Sequence, residues 1–277
     1  MSVQTNNTGS TILLSVGGIG VSLDCTDIHL LRKLIHRYRL FPLTGKVHFG
    51  AQLRVDKGWV GVADGEQVIK FKNRVLQIST GRLSGSINGQ KRNGDLLISK
   101  NCPVEEIEYY LRAVYSLLAF QMGGLLLHSA GIIHNGMSFL FFGHSGSGKT
   151  TVATLSRDDV VINDDLVLLK PLGVKWIAHA TPFWNPGWDE VVNASAPIIA
   201  LFRLVKDQQV KLEEMEKSVA MAELVANVPV IPADYLHANE LLYRCSLILD
   251  RVDVYWLHFR KDRSFWDILE EISPSIS

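Results

Sequence analysis

The sequence lacks several features that would narrow its function at once. It has only three cysteines, Cys25, Cys102 and Cys245, far apart and odd in number. No CxxC or similar metal spacing occurs, which argues against a zinc module or a disulfide scaffold and for reduced, structural thiols in a cytoplasmic protein. Charge of one sign is not in surplus either: 28 Lys and Arg balance 28 Asp and Glu. A nucleic-acid-binding chain usually carries a basic excess, so no nucleic-acid partner is expected. The densest charged stretch, Lys211 to Lys217, mixes signs and reads as a solvated helix face. Long apolar runs are missing too. The longest, Met122 to Ile133, is interrupted by Gly123, Gly124, His128, Ser129 and Gly131, too short and too polar to cross a bilayer. MSVQTNNTGS has no basic region followed by an apolar core, so no secretory leader is expected.

What is present is the balance of an ordinary globular protein, 47% hydrophobic and 20% charged. Its 277 residues suffice for one large domain or two modest ones. The first hundred residues read as β-rich. Thr11–Val16 and Gly20–Leu23 flank a Gly17-Gly18 turn, and VGGIG is a hairpin turn rather than a dinucleotide motif, because no helix opens on its glycines. A helix follows Thr26 or Asp27, either of which can cap it, with Leu30, Leu31, Leu34, Ile35 and Tyr38 at helical spacing. From Lys46 to Ser99, short alternating segments separated by Gly, Asn and Asp predict a meander of antiparallel strands.

Asn101 and Pro103 open a helix whose first turns carry Glu105, Glu106 and Glu108, and Gly123-Gly124 closes it. A domain boundary is expected near Asn101–Pro103, with 1–100 as one domain and 101–277 as the other. Next come two strands, Gly124–His128 and Gly131–His134. A hairpin turn follows at Asn135-Gly136, then a strand at Ser138–Phe142, a loop, and a short helix from Lys149 to near Arg157. Val160–Ile162 forms a buried strand delivering Asn163-Asp164-Asp165, and Leu166–Leu169 continues extended. Later elements are strands at Ile198–Val205 and Val254–Phe259 and helices near Ser218–Ala226 and Tyr235–Leu247.

One motif carries chemistry. Gly143-His144-Ser145-Gly146-Ser147-Gly148-Lys149-Thr150, followed by Thr151, fits G-x-x-x-x-G-K-[ST]. Small residues let successive backbone N–H groups curl round an anion at the start of a helix. Lys149 is then placed to reach the β- and γ-phosphates and the Thr150 hydroxyl to hold Mg²⁺. The context is right, with an apolar strand entering and a helix leaving. Asp164 and Asp165, ending a buried strand nearby, can place one carboxylate on the metal and another near a transferred phosphoryl group. Asp158-Asp159 reads as a helix cap or solvated turn.

The span GGLLLHSAGIIHNGMSFLFFGHSGSGKTTVATLSRDDVVINDDLVLL, with its strand-borne His128, resembles the ATP-binding core of the HPr kinase/phosphorylase-related kinases. That P-loop fold is shared with phosphoenolpyruvate carboxykinase. ATPFW (Ala180 to Trp184), IIALFRLVKD and VDVYWLHFRKDRSFWDIL also look like this wider family, which includes kinases associated with modified-peptide biosynthesis. The resemblance implies an α/β fold with a mixed sheet: a P-loop domain of this type preceded by a smaller β-rich domain. It implies ATP and Mg²⁺ as cofactors and phosphoryl transfer to a serine-type hydroxyl on a protein or peptide. Carried over by position, Lys149 and Thr150 bind phosphate and metal, and Asp164 and Asp165 supply a base and a Mg²⁺ ligand in an order left open. His128 orients or polarises one of the carboxylates.

The chain departs from the family pattern at several places. The C-terminal signature by which HPr kinases bind HPr and assemble is absent, so HPr is not the expected substrate. NPGWDE stands where relatives often have Gly-Glu, and whether Glu190 substitutes is left open. Arg203 and Lys206 could add positive charge to the transition state, but read first as charges at a strand end. Thr181, Trp184 and Trp188 line an acceptor pocket or belong to the core. Two other readings stay in play: a nucleotide-binding regulator or assembly protein with little turnover, and a small-molecule kinase or carboxykinase-like enzyme. The acceptor's identity, a reverse phosphorylase activity and homo-oligomer formation are left open.

Overall fold

The computed structural model describes residues 4–6, 9–63, 66–72, 75–188, 192–229 and 237–272. The fold is mixed α/β, with two mixed sheets and a division into two compact units between Gln121 and Met122. The first unit opens with β1 (Gln4–Asn6), β2 (Gly9–Val16) and β3 (Ile19–Cys25), the last two turning at Gly17-Gly18. Helix α1 (Ile28–Arg37) is capped by Asp27, whose carboxylate accepts from the amides of His29 and Leu30 at 3.0 and 2.9 Å. Strands β4 (Val47–Asp56), β5 (Val68–Lys72), β6 (Val75–Ser79), β7 (Leu83–Asn88) and β8 (Asn93–Ser99) follow, then helix α2 (Val104–Gln121).

The sheet order is β1-β2-β3-β4-β8-β7-β6-β5. Only β5 to β8 form the expected antiparallel meander. Strand β4 pairs in parallel with both β3 and β8, a correction to the sequence reading. The physical reason is the connection: α1 supplies the crossover that a parallel β3–β4 pair requires. Alternate residues of the strands (Ile12, Leu14, Val21, Leu23, Phe49, Leu53, Ile78, Ile87, Leu96, Ile98) are buried, and α1 and α2 rest on the sheet. Helix α2 belongs with this first unit rather than opening the second one at Asn101–Pro103. It is tied there by Tyr110, which donates to the Ser86 carbonyl at 3.0 Å, by Arg82–Glu106 at 2.9 Å and by Arg37–Glu108 at 2.5 Å.

The second unit begins with β9 (Leu125–His134), β10 (Met137–Phe142), α3 (Lys149–Leu155), β11 (Val160–Asn163), β12 (Leu166–Leu172) and β13 (Lys175–His179). It continues with β14 (Ser195–Lys206), β15 (Lys211–Glu214), α4 (Lys217–Ala226), α5 (Ala238–Leu249), β16 (Asp253–Phe259) and α6 (Phe265–Ile272). The two strands expected before Asn135 are one. Strand β9 pairs with β12 through its first half and with β10 and β11 through its second. Gly131 sits where β9 faces its neighbours most closely, since a Cβ there would lie 2.8 Å from Ile162 and 2.9 Å from Val167. Asn135 and Gly136 take positive φ (48° and 76°) in the β9–β10 turn that this residue pair favours. The charged run at Lys211 is not a helix face. It is β15, antiparallel to β16, and helix α4 starts only at Lys217. The start expected for α5, Tyr235, lies outside the described residues.

Parallel pairing of β10 with β14 and of β14 with β16 forms the centre of this unit. Its core is aromatic: Phe139 and Phe141 stack on Phe202, Phe202 on Tyr255, and Phe265 and Trp266 of α6 pack edge-on against Phe141. The Trp266 indole N–H donates to Ser156 Oγ at 2.9 Å, fixing α6 to the end of α3. Among the described residues no helix is long and apolar enough to cross a membrane. All three cysteines are free, and burial pushes the Cys102 and Cys245 thiols up to about 12, away from nucleophilic reactivity.

Gly131→Val is expected to destabilise the second unit by about 1–3 kcal/mol, because the added methyls meet Ile162 and Val167 in a filled interior. Denaturant unfolding followed by tryptophan fluorescence measures it. An unchanged midpoint would show that the β9–β11–β12 contact is loose.

Candidate functional site

Strand β10 runs out of the aromatic core at Phe142 directly into the loop Gly143–Gly148, and α3 takes over at Lys149. The loop's glycines have identifiable work. Gly143, Gly146 and Gly148 all take positive φ (147°, 78° and 114°). At Gly148 a Cβ would also meet Phe259 at 2.5 Å, and at Gly143 it would meet Arg203 at 2.6 Å. The loop closes on itself through the Ser147 amide, which donates to the His144 carbonyl at 3.1 Å.

Lys149 lies inside this turn, 7% exposed, with Nζ donating to the carbonyls of Gly143 at 2.8 Å and His144 at 3.3 Å. Burial lowers its pKa from the ordinary 10.5. Asp165 opposes the shift, Arg203 adds to it, and Asp164 opposes it. Ser147 is 3% exposed, and its hydroxyl has no hydrogen-bond partner among the described residues. A buried polar atom left this way is costly unless something else satisfies it. Ser145 and Gly146 form the exposed outer edge of the loop.

The Asp pair sits on a turn built by the residue before it. Asn163 is 2% exposed, and its side-chain carbonyl accepts from the amides of Asp165 at 2.7 Å and Leu166 at 2.8 Å. Its NH₂ donates to the Thr181 carbonyl and hydroxyl at 2.9 and 3.1 Å, and Thr181 donates in turn to the Leu166 carbonyl at 2.6 Å. The two carboxylates are thereby sent to different partners. Asp164, fully buried, accepts from the Thr150 hydroxyl at 3.1 Å, from the Asn185 amide at 3.0 Å and from the Asn185 side chain at 2.9 Å. Asp165 Oδ1 lies 3.0 Å from His128 Nε2. Strand pairing explains that contact, because Leu166 and His128 are register partners in β12 and β9.

All the residues singled out in the sequence for phosphate, metal and proton chemistry thus belong to one unit, and Lys149, Thr150, Asp164, Asp165 and His128 are joined by direct contacts or neighbouring charge. Others move. Thr181, Trp184 and Trp188 are buried, at 0%, 8% and 8% exposed, so the core reading holds for them; Thr181 is a strut of the Asn163 turn. Trp188 carries the Arg157 guanidinium over its ring at 5.2 Å. Glu190 lies outside the described residues. Lys206 is exposed as expected, but the Arg203 side chain is only 12% exposed and is held against the loop. Asn163 and Asn185 were not singled out, although each lies within or beside a quoted motif. A signal was available for Asn163, since an Asn before two acidic residues at a strand end favours a side-chain-to-backbone turn.

Just past Thr151 lies an open cavity of about 720 Å³, lined by Thr151, Phe259, Gln208, the acidic Asp207 and the cationic Lys206, Arg260 and Lys261. Its size falls within the usual range for small-molecule sites. Among the described residues no three His, Cys, Asp or Glu side chains cluster as a metal cage. Of the oxygens named in the sequence as metal candidates, the Thr150 hydroxyl and the Asp164 carboxylate meet at 3.1 Å, while Asp165 turns to His128. That separation is close to the edge, roughly 2.9 Å, of an octahedron with the bond lengths of Mg²⁺.

No protein-family model and no curated protein matches this chain. Among solved structures, the Hpr(Ser) kinase/phosphatase from Coxiella burnetii aligns with 53% of this chain and 87% of its own, at 15% identity and a TM-score of 0.30. A superposition this loose carries no argument about activity, so the functional reading rests on the side chains described above.

Proposed function

We propose that the second unit binds Mg²⁺-ATP and transfers its γ-phosphoryl group to a serine-type hydroxyl of a protein or peptide. The observation that carries this reading is the division of the two adjacent carboxylates. Asp164 goes to the hydroxyl of Thr150 at the start of α3 and Asp165 to a histidine, beside a lysine buried within a glycine-rich loop. The sequence resemblance to HPr-kinase-related proteins points to the same chemistry. Helix α3 has only seven residues, so phosphate binding is assigned to the loop amides, the Ser147 hydroxyl and Lys149 rather than to a helix dipole. The cavity past Thr151 has room for ribose and base.

The residues then take separate roles. Lys149 exchanges its contacts with the Gly143 and His144 carbonyls for phosphate oxygens. Ser147 gains the partner it lacks. Thr150 and Asp164, steadied by Asn185, would hold Mg²⁺, which would supply positive charge to offset the charge that develops on the transferred phosphoryl group. Asp165 accepts the proton of the attacking hydroxyl as the new P–O bond forms and the β–γ bridging P–O bond breaks, releasing ADP. His128 fixes the Asp165 carboxylate in position. A carboxylate base suffices here, since in such loose transition states the proton leaves late.

Lys149→Ala is expected to weaken Mg²⁺-ATP binding by at least about tenfold in calorimetric titration, with the melting temperature showing a folded protein. Unchanged affinity would remove the phosphate-loop assignment. Asp164→Asn should raise the Mg²⁺ concentration needed for nucleotide binding. Asp165→Asn should leave binding nearly intact and lower transfer from labelled ATP to serine peptides by about 10²- to 10⁴-fold, the scale of a lost general base. Equal effects of the two substitutions on binding and transfer would refute the separate roles.

A pH dependence follows from Lys149. Its depressed pKa means that part of the charge is lost at a pH where an ordinary lysine is still protonated, and an arriving phosphate favours the protonated form. ATP binding should therefore take up protons as the pH approaches the ordinary lysine value of 10.5 from below, and affinity should fall as pH rises through that range. Titrations in buffers of different ionisation enthalpy measure the uptake. Zero uptake in the wild type would mean that Lys149 does not meet the phosphate.

A further inference from the structure

Arg203 was read from the sequence as a charge at a strand end, and its surroundings are different. It pairs with Phe142 in the parallel β10–β14 register, one residue before the loop begins. Its guanidinium is used on three sides. Nε donates to Glu223 of α4 at 2.6 Å, one terminal nitrogen donates to its neighbour's carbonyl (Leu204) at 2.9 Å, and the other donates to His144 Nδ1 at 3.2 Å. The side chain also lies over the Trp256 ring, 5.8 Å from its centroid. Arg203 is 12% exposed and Glu223 25%, whereas His144 stands at the open side of the loop with no core to hold it.

We propose that Arg203 is a positioning residue for the phosphate loop: anchored by Glu223, it holds the loop's first half through the His144 imidazole. This rests on the loop's being a phosphate site. Glycines at Gly143, Gly146 and Gly148 leave the backbone between them with little conformational preference of its own. The Lys149 contacts to the Gly143 and His144 carbonyls are the ones a bound phosphate would take away. Once Lys149 turns to the ligand, the Arg203–His144 bond is a side-chain tie that can keep the same segment in place. A guanidinium suits this task because its planar fork serves a carboxylate and an imidazole in fixed directions together, which an ammonium cannot do. Helix α4 ties the other flank as well, since the Asn227 side chain donates to the Glu223 carbonyl at 2.8 Å and the Asn227 carbonyl accepts from the His128 amide at 2.8 Å. One helix end thus braces both the phosphate loop and the strand that carries His128.

The test compares Arg203→Lys, His144→Leu, His144→Asn and the Arg203→Lys/His144→Leu pair in the full chain, each checked for an intact melting transition. Two quantities are read: hydrogen exchange of the peptide spanning the loop without nucleotide, and the affinity for Mg²⁺-ATP. Arg203→Lys and His144→Leu should each speed loop exchange and weaken binding by about tenfold, the scale of one lost charge-assisted hydrogen bond. His144→Asn, whose side-chain oxygen can accept from Arg203, should recover most of the loss. The double variant should be no worse than the worse single one, because both remove the same tie. Wild-type exchange and affinity in folded Arg203→Lys would overturn the proposal, and so would additive losses with no recovery in His144→Asn. If the wild-type protein binds no nucleotide, the phosphate-site reading falls, and the exchange data still decide whether Arg203 holds the loop.

Discussion

Two neighbouring carboxylates can serve two different partners only if the turn beneath them is rigid, and here that rigidity comes from one amide side chain. Asn163 accepts two backbone N–H groups with its carbonyl and donates twice to Thr181 with its NH₂. Every one of these bonds is buried, where an unmade hydrogen bond costs about 1–3 kcal/mol. The turn therefore has little freedom to rotate Asp164 away from Thr150 or Asp165 away from His128. The bulge between Val161 and Asn163 in the β11–β9 ladder lets the chain leave the sheet at this point without breaking the pairing that fixes it.

The loop opposite is held by a different principle. Its shape comes from glycine backbone angles, but its internal contacts come from a lysine that would prefer water. The Lys149 ammonium is buried against two carbonyls and near two carboxylates, an arrangement that satisfies its hydrogens without neutralising it by a close ion pair. The buried Ser147 hydroxyl has no hydrogen-bond partner among the described residues. A loop of this kind is poised rather than stable, and an anion is the ligand that would satisfy both groups together. The surrounding rigid elements absorb that cost, with β10 rooted in the Phe139–Phe141–Phe202 stack and α3 pinned at its far end by Trp266.

Much of this was legible in the sequence, and for stated reasons. The Asn135-Gly136 turn, the phosphate-loop motif and the strand ending in two aspartates are short-range features, encoded within a few residues. What was missed depends on contacts between distant segments. Strand β4 pairs with β3 and β8, and no local pattern distinguishes a parallel partner from an antiparallel one. Helix α2 was assigned to the wrong side of the boundary because amphipathic spacing says that a face is buried, not against what. Ser129-Ala130 reads as a break between two strands, yet β9 runs through it, and at Gly131 only a residue without Cβ fits against Ile162 and Val167. Arg203 lies 59 residues from the imidazole it meets, and only the β10–β14 register brings them together.

The arrangement also bears on the choice between a kinase and a nucleotide-binding protein with little turnover. Holding a metal–nucleotide complex calls for the loop, Lys149, Thr150 and Asp164. In that task Asp165, 8% exposed beside a buried Asp164, serves as a charge that helps keep the Lys149 ammonium protonated. Two carboxylates side by side in a desolvated site repel each other, and the Lys149 ammonium offsets part of that cost. The histidine separates the two. His128 is a third exposed, on a strand where its neighbours Leu126 and Leu127 are buried, and its ring meets Asp165 and not the metal-side carboxylate. Under the proposed function, a partnered carboxylate kept separate from the proposed metal ligand suits proton transfer from an acceptor hydroxyl. That asymmetry within the Asp164-Asp165 pair is the feature by which the proposed transfer reaction differs from passive binding.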